Sequence, residues 1–371
     1  MQNSGINNRS REKLNIRQFS IEKIKVGQLY EFARSSLGDL RFTDVSPISL
    51  IRALAQSKNP HADPEDIALV VGFENKRCVG YHGLLPGYLL DKDRLCRVYW
   101  LVTFYLIPAC RGKGYGKRLV QEIQKTGIDL VTTGITDAAE RVYRSVGFQT
   151  LGELVYYRLQ AEESHLIASG FEQPDQWNTI SAVLRNYEAR EVQTIGCHTA
   201  NQQRQPSAPP SFLRDLDTQN WMLQHPWVVS RHKAQSDVKN YYFSRVRDRF
   251  NITGLEFYAP NENRPRGYMT LSVSSRKGNT TLKILDVFFQ DPEDYAIAAY
   301  SGLKEAETYL AQRLEFSARL RRFYLKQPHL DGLIKKKKRL YLFYPAHAGS
   351  ALAVNASRID LNYCDGDTAF T

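Results

Sequence analysis

A chain of 371 residues with 42% hydrophobic and 11% aromatic content is long enough for more than one domain and too apolar to be wholly disordered. Its formal net charge of +11 predicts an electropositive surface and an anionic partner, whether a phosphorylated cofactor, nucleic acid or a membrane surface. No run reaches the ~18 apolar residues of a spanning helix, the N-terminus lacks a signal-peptide core, and the 5 cysteines form no CxxC pair, so the expectation is a cytoplasmic protein with reduced thiols and no metal.

In chain order, an extended stretch over 14–19 leads to two expected helices. The first covers 21–36, where Ile24, Leu29 and Phe32 share a face at helical spacing, and the second covers 46–57. Three runs rich in β-branched and aromatic residues follow at 67–74, 77–85 and 97–107, with a short hairpin turn at Glu74-Asn75-Lys76 between the first two. A helix around 116–126 turns Leu119, Val120 and Ile123 inward. A strand at 128–133, a helix at 137–146 and a pair of strands near 147–150 and 154–159 complete the unit, an α+β order on a mostly antiparallel sheet.

The polar, proline-bearing segment 200–211 reads as a linker or exposed loop, with room for a helix within 176–190. From 216 a second unit repeats the first: strands at 254–260, 266–275 and 281–289, a helix at 294–313 and a closing strand at 340–345. Shared order without residue identity is the pattern of structural repeats. Lys335 to Lys338, following Arg319, Arg321, Arg322 and Lys326, read as a solvated helix end rather than a nucleic-acid patch, because no aromatic pattern is interleaved with them.

The most informative stretch is "IPACRGKGYGKRLV" (107–120), a glycine-rich turn between a long strand and a helix. The first-turn amides of that helix have no intrahelical partner and carry the positive end of its dipole. Glycine lets an anion approach the backbone and permits positive φ. Arg111, Lys113 and Lys117 add charge, so the turn is built to grip a di- or polyphosphate. The spacing fits neither G-x-G-x-x-G, whose third glycine would fall at Lys117, nor the P-loop, whose first glycine would fall at Arg111. Cys110 beside Arg111 packs inward in this reading rather than serving as a reactive thiol.

What the spacing does fit is [Q/R]-x-x-G-x-[G/A], with Arg111, Gly114 and Gly116 after "LIP" (106–108). Further on, "AAERVYRSVGF" (138–148) matches A-x-x-x-Y-x-x-x-G-F through Ala139, Tyr143, Gly147 and Phe148. With both motifs in order, the chain resembles the GNAT acyltransferase superfamily over 14–160. The resemblance implies acetyl-coenzyme A as co-substrate. Its pyrophosphate would lie on Arg111, Gly112, Lys113, Gly114, Tyr115, Gly116 and Lys117. A backbone N–H at Leu106 or Ile107 would polarise the thioester carbonyl, and Tyr143 would protonate the leaving thiolate. Thr136 stands where relatives often carry asparagine. The strand at 97–107 lacks the carboxylate that many relatives use as general base; His82 is the nearest titratable candidate, with His61, Asp63 and Glu65 as alternatives.

The second half is similar to the degenerate partner domain of tandem GNAT proteins. "QDPED" replaces the basic loop, so Asp291, Glu293 and Asp294 would repel a pyrophosphate. The stretches 79–90 and 151–159 resemble a two-domain subgroup, some members of which act on amino sugars. The expected architecture is therefore α+β, two GNAT-like domains in tandem: 14–160 with the coenzyme site, 161–215 as connection, 216–371 without it. The expected activity is N-acyl transfer to the primary amine of a small molecule of the amino sugar or amino acid class. A protein N-acetyltransferase and a non-catalytic coenzyme-binding regulator remain alternatives. Nucleic acid and membrane are not expected partners, and the chain is expected to be a pseudo-dimeric monomer or a homodimer.

Overall fold

A computed structural model describes residues 18–160, 182–196, 209–231, 241–243, 245–326, 330 and 332–367. Expectations for 14–17, for the 200–208 part of the linker, for 176–181 and for Cys197 fall outside them.

Asn75 and Lys76 both take positive φ, 51° and 67°, the two-residue turn whose twist suits a hairpin. It joins β2 (Ile67–Glu74) to β3 (Arg77–Asp91), and β4 (Arg94–Leu106) pairs antiparallel with β3. Ahead of them, β1 (Phe19–Lys25) pairs antiparallel with β2, so the helix expected over 21–36 is confined to α1 (Leu29–Ser36). The apolar spacing was real but spans two elements: Ile24 on β1 and Leu29 and Phe32 on α1 enter one cluster. The edge of β2 supplies backbone partners that a helix at 21–25 would forgo. The second helix, α2 (Leu50–Ser57), starts at Ser49, whose hydroxyl accepts from Arg52 N–H at 3.3 Å.

After β4 come α3 (Tyr115–Gln124), β5 (Asp129–Thr133), α4 (Asp137–Ser145) and β6 (Gln149–Gln160). β6 is one continuous strand where two short ones were expected. Then follow β7 (Glu188–Val192), β8 (Ser211–Phe212), α5 (Leu216–Gln224), and the short parallel pair β9 (Val228–Ser230) and β10 (Arg245–Arg247). A second meander, β11 (Arg249–Tyr258), β12 (Gly267–Arg276) and β13 (Asn279–Phe289), leads to α6 (Tyr295–Thr308), β14 (Arg313–Ser317), α7 (Ala318–Tyr324) and β15 (Ile334–Tyr344).

These strands build one 13-stranded, mostly antiparallel sheet flanked by helices, in the order β1-β2-β3-β4-β5-β15-β6-β14-β13-β12-β11-β7, with β8 on β3. Its parallel pairs are β4 with β5 and β13 with β14. The order contains a reciprocal exchange. β15, last in sequence, lies against β5, while β6 crosses to lie against β14. Each strand closes the other half's core: Leu342 of β15 is fully buried among α3 and α4 residues, and Leu159 of β6 among α6 and α7 residues. Lys335 to Lys338 lie on β15, paired with β6, and not at a helix end. Lys338 reaches Glu153 on the neighbouring strand at 2.5 Å, so cross-strand partners decide the conformation of a run with little strand preference of its own.

α3 and α4 pack on one face with Phe19, Val70, Val79 and Leu101, and α1 and α2 on the other with Leu69, Val71 and Tyr81. Among the described residues no helix is long and apolar enough to cross a membrane.

The exchange predicts that a chain stopped after residue 160, lacking β15, does not fold alone. It should show weak far-UV dichroism and aggregate on size exclusion, and supplying residues 209–371 as a second chain should restore both. A soluble, folded monomer of 1–160 would contradict that dependence.

Candidate active site

Thr103 has φ +50°, a left-handed conformation that a β-branched residue adopts only when its surroundings impose it. The β3–β4 register shifts at that point, between Tyr81↔Tyr105 and Gly83↔Val102, so Thr103 sits in a β-bulge that turns β4 aside. Parallel pairing with β5 accordingly runs only from Val98↔Asp129 to Leu101↔Thr132. Beyond it the strands part around a cavity of about 690 Å³. Phe104 looks to the α3/α4 face, where it stacks on His82 at 4.7 Å, and Tyr105 to the opposite face, against Tyr81 at 5.8 Å. The cavity thus passes through the sheet.

One mouth is the glycine turn. Gly112 and Gly114 have φ of +79° and +80°, and Gly114 caps α3 from the left-handed region. The N–H groups of Gly112, Lys113 and Gly114 have no acceptor among the described residues. Gly116 lets α3 lie close to β4: a Cβ there would stand 2.9 Å from the Phe104 ring. Arg111 and Lys117 line the cavity, with Arg111 Nε 3.2 Å from the Leu106 carbonyl. Lys113 turns away, its Nζ 3.3 Å from Glu74. Ile107 N–H is spent on the Val79 carbonyl at 2.9 Å. Alternation along the strand then points Leu106 N–H the other way, into the cavity.

At the waist, Tyr143 lines the cavity and His82 stands behind it, fully buried, with Nε2 2.8 Å from the phenol oxygen. His82 Nδ1 is 3.1 Å from the Gly83 carbonyl, which can only accept; Nδ1 therefore carries the proton and Nε2 accepts from Tyr143. Burial pushes the imidazole down to about 4 and the phenol well above its ordinary range. Tyr143 also packs on Phe148 at 4.9 Å. Thr136 caps α4 by accepting from Ala139 N–H at 3.3 Å, and both residues line the cavity.

The other mouth, on the α1/α2 face, holds residues the sequence did not mark: Arg52 of α2, Tyr242, Phe243, Arg339 of β15 and Asp367. Arg52 Nη2 meets Asp367 Oδ2 at 3.1 Å, across 315 positions of sequence. Asp367 is the one carboxylate among the described lining residues.

The structure therefore gathers Leu106, Arg111, Gly112, Gly114, Tyr115, Gly116, Lys117 and Tyr143 around one space. It leaves Ile107, Lys113 and His82 outside the wall. His61, Asp63 and Glu65 also lie elsewhere: His61 is held by Asp215 at 3.0 Å, and Glu65 pairs with Lys25. Cys110 is buried, its thiol pushed up by burial and by the Glu74 carboxylate, so it is not a reactive thiol.

Residues 65–150, from β2 through the bulge, the glycine turn and Tyr143, match the family model described as acetyltransferase (GNAT) domain. Over that stretch the chain is similar to a GNAT domain. Solved structures of similar fold include a GCN5-related N-acetyltransferase from Anabaena variabilis, with TM-score 0.51 and 14% identity over 90% of this chain and 74% of that one. Another, from Kribbella flavida, has TM-score 0.50 and 11% identity over 91% and 74%. A probable N-acyltransferase from Enterococcus faecalis has TM-score 0.50 and 9% identity over 92% and 74%. At these identities the likeness is one of fold. No curated protein matches the chain. Within the matched stretch the parted strands, the glycine turn and Tyr143 form a single constellation.

The His82 environment has a thermodynamic signature. The unfolded chain binds the imidazole proton below pH 6.5 and the folded chain only below about 4, so stability falls as pH drops through that window. The loss attributable to this group is on the order of 3 kcal/mol. Denaturant unfolding across the window should show a slope shallower by one proton in His82→Gln. Equal slopes in the two proteins would refute the buried neutral imidazole.

Proposed function

We propose that the cavity carries out N-acyl transfer from acetyl-coenzyme A to the primary amine of a small molecule, of the amino sugar or amino acid class, by direct attack. The observation that carries this reading is a passage through the sheet with unpartnered main-chain donors at one mouth, a protonated phenol at its waist and a carboxylate at the other mouth. The donor set fits a diphosphate: left-handed glycines, exposed amides and two cations stand at one helix start. In this reading 14–160 is the acetyltransferase domain, 161–215 the connection and 216–371 a partner domain without a phosphate turn. Asp291, Glu293 and Asp294 stand before α6 where the basic turn stands before α3.

Bound acetyl-coenzyme A supplies a thioester carbonyl for the amine to attack and a thiolate leaving group. The amides of Gly112, Lys113 and Gly114, with Arg111 and Lys117, hold its diphosphate. Leu106 N–H donates to the carbonyl oxygen. Tyr143, kept neutral by its burial, is a proton donor and not a base at neutral pH, and it faces the space where the thiolate forms. His82 receives no proton directly from the amine; it holds the phenol in place. Asp367 is the carboxylate placed to take the proton of the attacking amine.

Release of free thiol from acetyl-coenzyme A over a panel of amines tests the reading. Gly114→Glu puts a side chain and a negative charge on the phosphate turn and should abolish coenzyme binding. Tyr143→Phe should bind coenzyme normally and lose roughly 10²-fold or more in kcat. Unchanged turnover in both variants would sink the site assignment, and tight coenzyme binding without turnover on any amine would favour a regulator.

A further inference from the structure

The two mouths of the cavity differ in how their charges are satisfied. On the phosphate side, Arg111 already contacts a main-chain carbonyl and Lys117 lies at the start of an exposed helix turn. On the opposite face Arg52 is buried and Arg339 half-buried. Arg52 is 3% exposed; Asp367 meets its Nη2, while its Nε has no hydrogen-bond partner. Arg339 is half-buried, but its Nη1 is closed off from solvent and has none either. Its neighbours are ring faces, Tyr156 and Tyr363, each 5.4 Å from the guanidinium carbon. The carboxylate of Glu315 is taken by Arg158 and Tyr363. A buried guanidinium donor without an acceptor is costly, and a planar fork of donors matches a carboxylate.

The strand register decides which mouth Arg339 serves. Along β15, Leu340 and Leu342 enter the cluster beneath α3 and α4, whereas Tyr341 and Phe343 enter the one with Trp100 on the other face. Arg339 shares the parity of Tyr341, so it faces the Arg52–Asp367 side, away from the glycine turn. That side carries two arginines and one carboxylate, an unbalanced positive charge next to the aromatic walls of Tyr105 and Tyr242.

We propose that the acceptor is an amine that also bears a carboxylate, a small amino acid, bound with its carboxylate on Arg339 and its ammonium toward Asp367. This rests on the acyl-transfer reading and narrows its acceptor: a neutral amino sugar leaves Arg339 without an acceptor, and an amino acid supplies one. The amine then lies between Asp367, which takes its proton, and the waist at Tyr143.

The test compares each common amino acid with its own carboxamide, which keeps the amine and removes the negative charge. Thiol release is measured at a pH where both amines are equally deprotonated, in the wild type, Arg339→Gln and Arg339→Lys. The wild type should prefer the amino acid by roughly ten- to hundredfold in kcat/KM. Arg339→Gln should lose that preference with the KM for acetyl-coenzyme A unchanged, and Arg339→Lys should keep part of it. The wild-type comparison decides the matter even if a variant fails to fold. Carboxamides or neutral amino sugars used as well as amino acids would overturn the inference while leaving acyl transfer standing. If no amine releases thiol, acyl transfer itself fails. Calorimetric titration of amino acid against carboxamide into the coenzyme A-loaded protein then decides carboxylate recognition: amino acid binding lost in Arg339→Gln supports it, and equal or absent binding of both ends it.

Discussion

The parting of two strands governs everything else in this molecule. β4 and β5 are parallel neighbours for four residues and then separate because Thr103 is forced into a left-handed bulge. Their separation frees the main chain at Leu106, opens a passage between the faces of the sheet and leaves room for α3 to begin beside the gap. Without the bulge the ladder could continue past Leu101, and the glycine turn would border a closed sheet. The strain at Thr103 is small against the pairing of β3 with β4 on either side, which fixes the register across the bulge.

The second half contributes to this site in spite of having no phosphate turn. β15 supplies the strand beyond β5 and brings Arg339 to the wall. The segment before β10 brings Tyr242 and Phe243, and the stretch after residue 359 brings Asp367. That last stretch is tied down by Arg214, which reaches Asp365 at 3.1 Å, and by Arg319, which reaches Asp360 at 3.1 Å. Strand exchange and ion pairing therefore serve one end: they hold the far wall of the cavity against a gap made by the first half. The division is spatial: the glycine turn comes from local sequence and the opposite wall from distant sequence.

That division explains what could be read in advance. The glycine turn, the β2–β3 hairpin and the Tyr143–Phe148 helix end are local. Their residues impose φ angles, caps and helical periodicity within a few positions, and each stands where the pattern placed it. β1 was not legible because Ile24, Leu29 and Phe32 bury on one side whether the chain is a helix or a strand followed by a helix. Only the partner edge of β2 discriminates between them. The lysines of β15 carry no strand signal, and their conformation is dictated by β6 across the exchange. Arg52 and Asp367 lie 315 positions apart, and no local pattern joins them. Among the residues around the phenol, His82 was legible as a titratable group near the site but not as one already committed to Tyr143.

That commitment bears on how a buried phenol can act as an acid. Desolvation raises the cost of the phenolate, so Tyr143 holds its proton, and the neutral imidazole accepts it at rest. A thiolate formed beside the phenol is a stronger acceptor than an imidazole pushed down to about 4, so in the proposed reaction the phenol would donate to the leaving group and not to His82. The same burial that makes His82 unfit as a base for the amine thus keeps the donor loaded. In the proposed reaction deprotonation of the amine would then fall to a group on the opposite face, where Asp367 stands beside Arg52. In the proposed reaction acid and base stand on opposite faces of the sheet, and the bulge that opens the sheet is what would let one substrate reach both.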